Sequence, residues 1–125
     1  MEKVSDSIPI YVRIAEGIKE HILSGDLKEG EQIISTSQLS REYNISIPTV
    51  NKGINLLVAE GVVFKKRGIG MFVSEGAVKQ LIRARRKTFK QNYIMSLLDE
   101  ADRLKYTLDE LQQIVMEAYK EHGNR

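Results

Sequence analysis

The stretch that most restricts the fold is Ser35 to Gly61, "STSQLSREYNISIPTVNKGINLLVAEG", where two helical patterns follow each other with almost nothing between them. Ser35 with Gln38 has the form of a capping box and opens a short helix, "TSQLSREY", whose inner face is Leu39 and Tyr43. Asn44 tolerates the left-handed conformation that ends a helix, Ser46 is a good N-cap for the next, and Pro48 is accepted in a first turn. The second helix runs to about Glu60. Its apolar residues Val50, Ile54, Leu57 and Val58 follow i, i+4, i+7, i+8 and face inward, which leaves Thr49, Asn51, Lys52 and Asn55 outward. Such a closely joined pair is a helix-turn-helix, and the chain around it must supply the rest of its core.

Upstream, Ile10, Ile14, Ile18, Ile22 and Leu23 recur at helical spacing before Gly25, a residue suited to end the helix, so a first helix is expected over Ile10 to Ser24. "GDLKEGEQ" reads as a turn-rich connection. After Gly61, "VVFKK" and "MFVS" are β-rich runs around the turn "RGIG", the pattern of a hairpin. Residues 8–76 therefore read as a winged helix-turn-helix domain.

From Gly76 the pattern is helical again. Phe89, Tyr93, Leu97 and Ala101 share one row, with Ile94 and Leu98 beside it. Thr107 with Glu110 forms a second capping box, for a last helix with Leu108, Leu111, Val115, Ala118 and Tyr119 on one face. Two helices in residues 77–125 bury too little surface to be stable alone. The tail is expected to pack on a partner, most simply a second copy, which makes it a dimerisation element. The fold class is mainly α with a small β-hairpin: a winged helix-turn-helix plus a two-helix tail.

At 125 residues, 42% hydrophobic and 29% charged, the chain has the composition of a soluble globular protein, and no apolar run approaches a membrane span. The N-terminus lacks the pattern of a secretory signal, so the expected location is the cytoplasm. There is no cysteine, and His21 and His122 have no second ligand at helical spacing, so no metal or cofactor is expected. No Ser/His/Asp grouping, phosphate-binding glycine pattern or pair of catalytic carboxylates emerges, and no enzymatic activity is expected. The net charge of +2 is unevenly divided: residues 1–76 hold nine Lys/Arg against ten Asp/Glu, and residues 77–125 hold ten against seven. Bulk charge does not announce a nucleic-acid binder.

The local chemistry does. A helix-turn-helix presents the first residues of its second helix to base edges in the major groove, here Pro48, Thr49, Asn51, Lys52 and Asn55. Asparagine pairs bidentately with adenine, lysine donates to guanine or a phosphate, and a threonine methyl meets the thymine methyl, a set that favours A/T steps. Ser35, Thr36 and Ser37 at a helix N-terminus suit a phosphate oxygen, or simply cap the helix. In the wing, Lys65, Lys66 and Arg67 precede Gly68, a combination for the minor groove or its phosphates, or a solvated hairpin. Lys79, Arg83, Arg85, Arg86, Lys87 and Lys90 are either a solvated face, a supplement to phosphate binding, or partners for Asp99, Glu100 and Asp102 of a second chain. Phe89, Tyr93, Leu97 and Leu104 read as dimer core or as the lining of a small-molecule pocket.

The order of these motifs resembles the GntR family of bacterial transcription regulators, through "PIYVRIAEGIKEHILSGDLKEGEQI", "STSQLSREYNISIPTVNKGINLLVAEGVV" and "KKRGIGMFVS". The short tail looks like the YtrA-type branch, for which the resemblance implies a dimerising tail and, often, transporter genes as targets. The family pattern also implies arginines that this chain lacks: the positions are Ser37, Ile47 and Asn51. The expected function is a homodimeric, sequence-specific regulator, a repressor acting on a double-stranded DNA operator, with any small-molecule effector unspecified. The alternative is a winged-helix protein-interaction module that has lost DNA binding.

Overall fold

The computed structural model describes residues 7–124. In chain order the elements are α1 (Ile10–Ser24), α2 (Thr36–Tyr43), α3 (Ile47–Ala59), β1 (Val63–Lys66), β2 (Gly70–Val73), α4 (Ala77–Phe89), a π-helical turn (Lys90–Ile94), α5 (Met95–Arg103) and α6 (Leu108–Gly123). Packing divides the chain into a unit that ends at Ala84 and another that starts at Arg85. This division falls within α4, beyond Gly76, because Ala77 and Leu81 are buried with the core of the first unit.

That core gathers Ile14, Ile18 and Ile22 from α1, Leu39 from α2, Val50, Ile54 and Leu57 from α3, and Val63 and Val73 from the hairpin. The N-caps foreseen at Ser35 and Ser46 are formed, the capping box at Ser35 through its serine half. Ser35 Oγ accepts from the Gln38 N–H at 3.1 Å, Ser46 Oγ from the Thr49 N–H at 3.4 Å, and Asn44 has φ 53° and ψ 51°. Three side chains expected to face inward do not. Tyr43 is 51% exposed, because the left-handed turn at Asn44 sends Ile45 to the core in its place. Val58 lies 40% exposed, since Leu57 and Val62 already fill the end of the α3 stripe, and Ile10 is 46% exposed in the first turn of α1.

Two long-range features position the wing. β1 and β2 pair antiparallel with Val63 opposite Val73 and Lys66 opposite Gly70, around a tip of Arg67, Gly68 and Ile69. The segment expected to be only a turn adds a third, short edge: the Ile33 N–H donates to the Met71 carbonyl at 2.9 Å and the Val73 N–H to the Glu31 carbonyl at 2.9 Å. The Gln32 side chain then donates from Nε2 to the Ile69 carbonyl at 3.0 Å and lies over Gly70, where a Cβ would collide with it. Glu29 receives the Gly76 N–H at 2.9 Å and the Val78 N–H at 3.0 Å, so one carboxylate caps the start of α4.

The π-helical turn follows Phe89 directly, and the Met95 N–H donates to the Lys90 carbonyl, an i→i+5 bond. Lys105 takes φ 63° in the turn after α5, and Thr107 and Glu110 complete a reciprocal capping box at 2.9 and 3.2 Å. Ala101 is buried within the chain. Phe89, Tyr93, Leu97, Leu98, Leu104, Leu108, Val115 and Tyr119 are all exposed.

Candidate nucleic-acid interface

The outward face of α3 is held by what lies behind it. Val50 and Leu57 are fully buried, and at Gly53 the helix runs so close to α1 that a Cβ would sit 2.7 Å from the Tyr11 carbonyl oxygen. That contact fixes the rotation of α3 about its axis and leaves Pro48, Asn51, Lys52 and Asn55 exposed, with Thr49 half-buried. Thr49 is also tied to its cap, with its Oγ1 2.8 Å from Ser46 Oγ.

The first turns of α2 and α3 meet at this face. Thr36 donates from Oγ1 to Asn51 Oδ1 at 3.1 Å, which turns the Asn51 amide so that both N–H bonds of Nδ2 point away from Thr36 and remain free to donate. Ser35 and Ser37 are exposed beside it, Ser35 already committed as the cap of α2. The start of α2 thus meets the α3 face through Thr36.

Lys52, the single cation of α3, is exposed but leans on α1. Its ammonium lies over the Tyr11 ring, 4.3 Å from the centroid. A cation–π contact at an exposed site is worth about 0.5–1 kcal/mol, weaker than a charge-assisted bond to phosphate at about 1.5–3 kcal/mol, so a nucleic-acid phosphate can draw Lys52 off the ring. Tyr11 was not singled out from the sequence. It has no local signal there, because its partner lies on another helix.

In the wing, Lys65, Lys66, Arg67 and Gly68 are all exposed. Lys66 Nζ stands 4.4 Å from the Phe72 ring, on the face where Phe64 and Phe72 stack with centroids 6.0 Å apart. Gly68 has φ +75°, a conformation glycine adopts without strain, and bears no side chain between Arg67 and Ile69. Ile69, not foreseen as a site residue, is 63% exposed at the tip. The Gln32 bond to its carbonyl holds that tip in place.

Charge at the site is local. Four cations, Lys52, Lys65, Lys66 and Arg67, sit on α3 and the wing, while Glu16, Glu29 and Glu60 serve the scaffold. Lys19 bridges Glu16 at 3.0 Å and Glu60 at 2.6 Å, tying α1 to the end of α3. Burial works against the Lys19 charge, but the hydrogen bonds to Glu60 and Glu16 outweigh it and raise its pKa. The backbone N–H groups of Gly76 and Val78 lower that of Glu29.

The sequence profile of the bacterial regulatory proteins of the gntR family matches residues 10–73, the whole of this unit from α1 to the end of the wing. The chain belongs to the GntR family. At that level it is a DNA-binding transcription regulator. The HTH-type transcriptional repressor YtrA of Bacillus subtilis (strain 168) is 30% identical over 93 residues, covering 74% of this chain and 72% of that protein. This extent of match supports the YtrA-type branch within GntR. The chain spans only 17% to 31% of the longer curated relatives it matches. A structure described as a GntR-family transcriptional regulator from Bacteroides thetaiotaomicron is similar with a TM-score of 0.70 at 29% identity, over 91% of this chain and 99% of that one. The DNA-binding domain of AraR, solved in complex with operator ORX1, is similar with a TM-score of 0.54 at 27% identity, over 56% of this chain and 84% of that one.

Proposed function

We propose that this GntR regulator is a homodimeric repressor in which each protomer reads one half of a near-palindromic operator through α3 and the wing. The observation that carries the reading is the Thr36–Asn51 bond, which joins a phosphate-binding helix start to a base-reading amide on one exposed face. Thr49, Asn51, Lys52 and Asn55 form a reading head of hydroxyl, amides and one amine, suited to A/T steps. Ser35, Thr36, Ser37, Lys65, Lys66, Arg67 and Gly68 supply backbone and minor-groove contacts. The operator complex of AraR supports the DNA assignment by kinship, and the name of the YtrA relative supports repression. Transporter genes as targets are proposed from the branch alone, a cytoplasmic location fits a regulator that binds operator DNA, and titration of ligands into the DNA complex tests for an effector.

The tail supports the homodimer. Phe89, Tyr93, Leu97, Leu104, Leu108 and Val115 are large apolar side chains left uncovered in one chain, and exposed apolar surface on this scale supports an interface. Leu111 is half-buried and Ala101 already buried in its own chain, so these two shape the surface from behind.

Operator binding measured against salt tests the reading. Arg67→Ala is expected to reduce the salt slope by ~1 through loss of a phosphate contact, weakening all sequences alike. Lys52→Ala, if its amine reaches a base, costs ~1–3 kcal/mol on the operator and little on competitor DNA. Unchanged binding in both variants would sink the groove assignment and favour the protein-interaction alternative.

A further inference from the structure

The open groove between α5 and α6 has a volume of about 750 Å³ and an apolar floor that includes Leu97, Leu104, Leu111 and Val115, while Glu100 and Glu121 stand among its lining residues. Residues 77–90 carry six cations and no acid, whereas residues 99–123 hold seven acids against three cations. The exposed rings of Phe89 and Tyr93, with centroids 5.7 Å apart, form one apolar projection, and they lie among Arg86, Lys87 and Lys90. Neither ring lines the groove of its own chain.

We infer that the groove between α5 and α6 takes the Phe89–Tyr93 pair of a second copy, with Arg86 and Lys90 of that copy against Glu100 and Glu121, and that the exchange is reciprocal. This rests on the tail-mediated homodimer and specifies its register. Besides the ring pair, the tail offers the outer face of α6, where Leu108 and Met116 are exposed. Charge decides between them. The α6 helix carries Asp109, Glu110, Glu117 and Glu121 against Lys120, so laying it on a groove edged by Glu100 and Glu121 sets like charges together. The basic segment reverses that sign. A two-fold interface also requires that residue i meet residue j and j meet i, and the reciprocal ring-in-groove arrangement satisfies this.

Because the chain has no cysteine, single cysteines report the register without background. Lys90→Cys and Glu121→Cys, both at exposed positions that leave the apolar contacts intact, are co-expressed on full-length chains with tags of different size and treated with a short bismaleimide. Arg86→Cys with Glu100→Cys forms the second pair. Sedimentation of the wild type and of each variant accompanies the reaction. The expected result is a mixed dimer as the main cross-linked species for at least one of the two pairs. Cross-linking of Lys90→Cys chains mainly to one another overturns the register, as does an intact dimer that yields no mixed product in either pair. A wild-type chain that sediments as a monomer overturns the dimer itself.

Discussion

Glu29 shows how a single surface carboxylate can carry structural information. Its two oxygens receive the N–H groups of Gly76 and Val78, donors that the first turn of α4 would otherwise leave without partners. These bonds lower its pKa from 4.5 against the opposing effect of desolvation, and the charge of Lys79 adds a smaller push in the same direction as the bonds. A carboxyl whose folded pKa lies below its unfolded value stabilises the fold above the unfolded pKa, and that stabilisation is lost as pH falls through the folded one. Glu29→Gln is therefore expected to melt lower than wild type at neutral pH and to approach it on acidification below about 4.5. Melting curves that stay parallel throughout would remove the carboxylate's charge from the account. Lys19 works in the opposite sense: its raised pKa gives a contribution present below 10.5 and lost as pH rises through the folded value.

Helix α3 shows which parts of an element can be read from its own sequence. The outward set Thr49, Asn51, Lys52 and Asn55 follows from the 3.6-residue period once Val50, Ile54 and Leu57 are placed inside, and Ser46 and Pro48 fix the start. These are local properties. The Lys52 amine over Tyr11, the Gln32 clamp on Ile69 and the edge that Ile33 adds to the wing depend on segments far apart in the chain, so no periodicity marks them. The outward turn of Tyr43 escaped for a related reason, because a stripe extrapolated past Asn44 ignores the change of direction there. Gly53 is the residue that joins local and long-range requirements. Alanine favours a helix by about 1 kcal/mol over glycine. Here, however, its Cβ would lie 2.7 Å from a backbone oxygen of α1, and backbone cannot swing aside. Overpacking of this kind costs about 1–3 kcal/mol, so Gly53→Ala is expected to be destabilised in urea and to bind operator more weakly, as α3 is pushed from its seat. A variant more stable than wild type would show that α1 yields there.

For the whole molecule, the proposed homodimer makes the tail and the reading head two parts of one solution. A head with four cations on α3 and the wing makes few phosphate contacts, and the three positions where the family pattern implies arginine are Ser37, Ile47 and Asn51. Single-head affinity is correspondingly low. Two heads joined through their tails turn the second binding event into an intramolecular one, at an effective concentration in the millimolar range, and avidity of this kind reaches about 10²–10⁴-fold. In the proposed homodimer, assembly would cover Phe89 and Tyr93, each 54% exposed in the single chain, and Leu97, 41% exposed. Leu97→Asp, which sets a charge in that apolar surface, is expected to sediment as a monomer with a folded first unit, because Ala77 and Leu81, not Leu97, complete that core. Its affinity for the full operator should fall by about 10²-fold or more, while its affinity for an isolated half-site stays near that of wild type. Lys52→Ala should do the reverse, remaining dimeric and weakening both DNAs. A Leu97→Asp chain that stays dimeric, or a monomer that keeps full-operator affinity, would separate the tail from recognition and leave the reading head to account for operator affinity by itself.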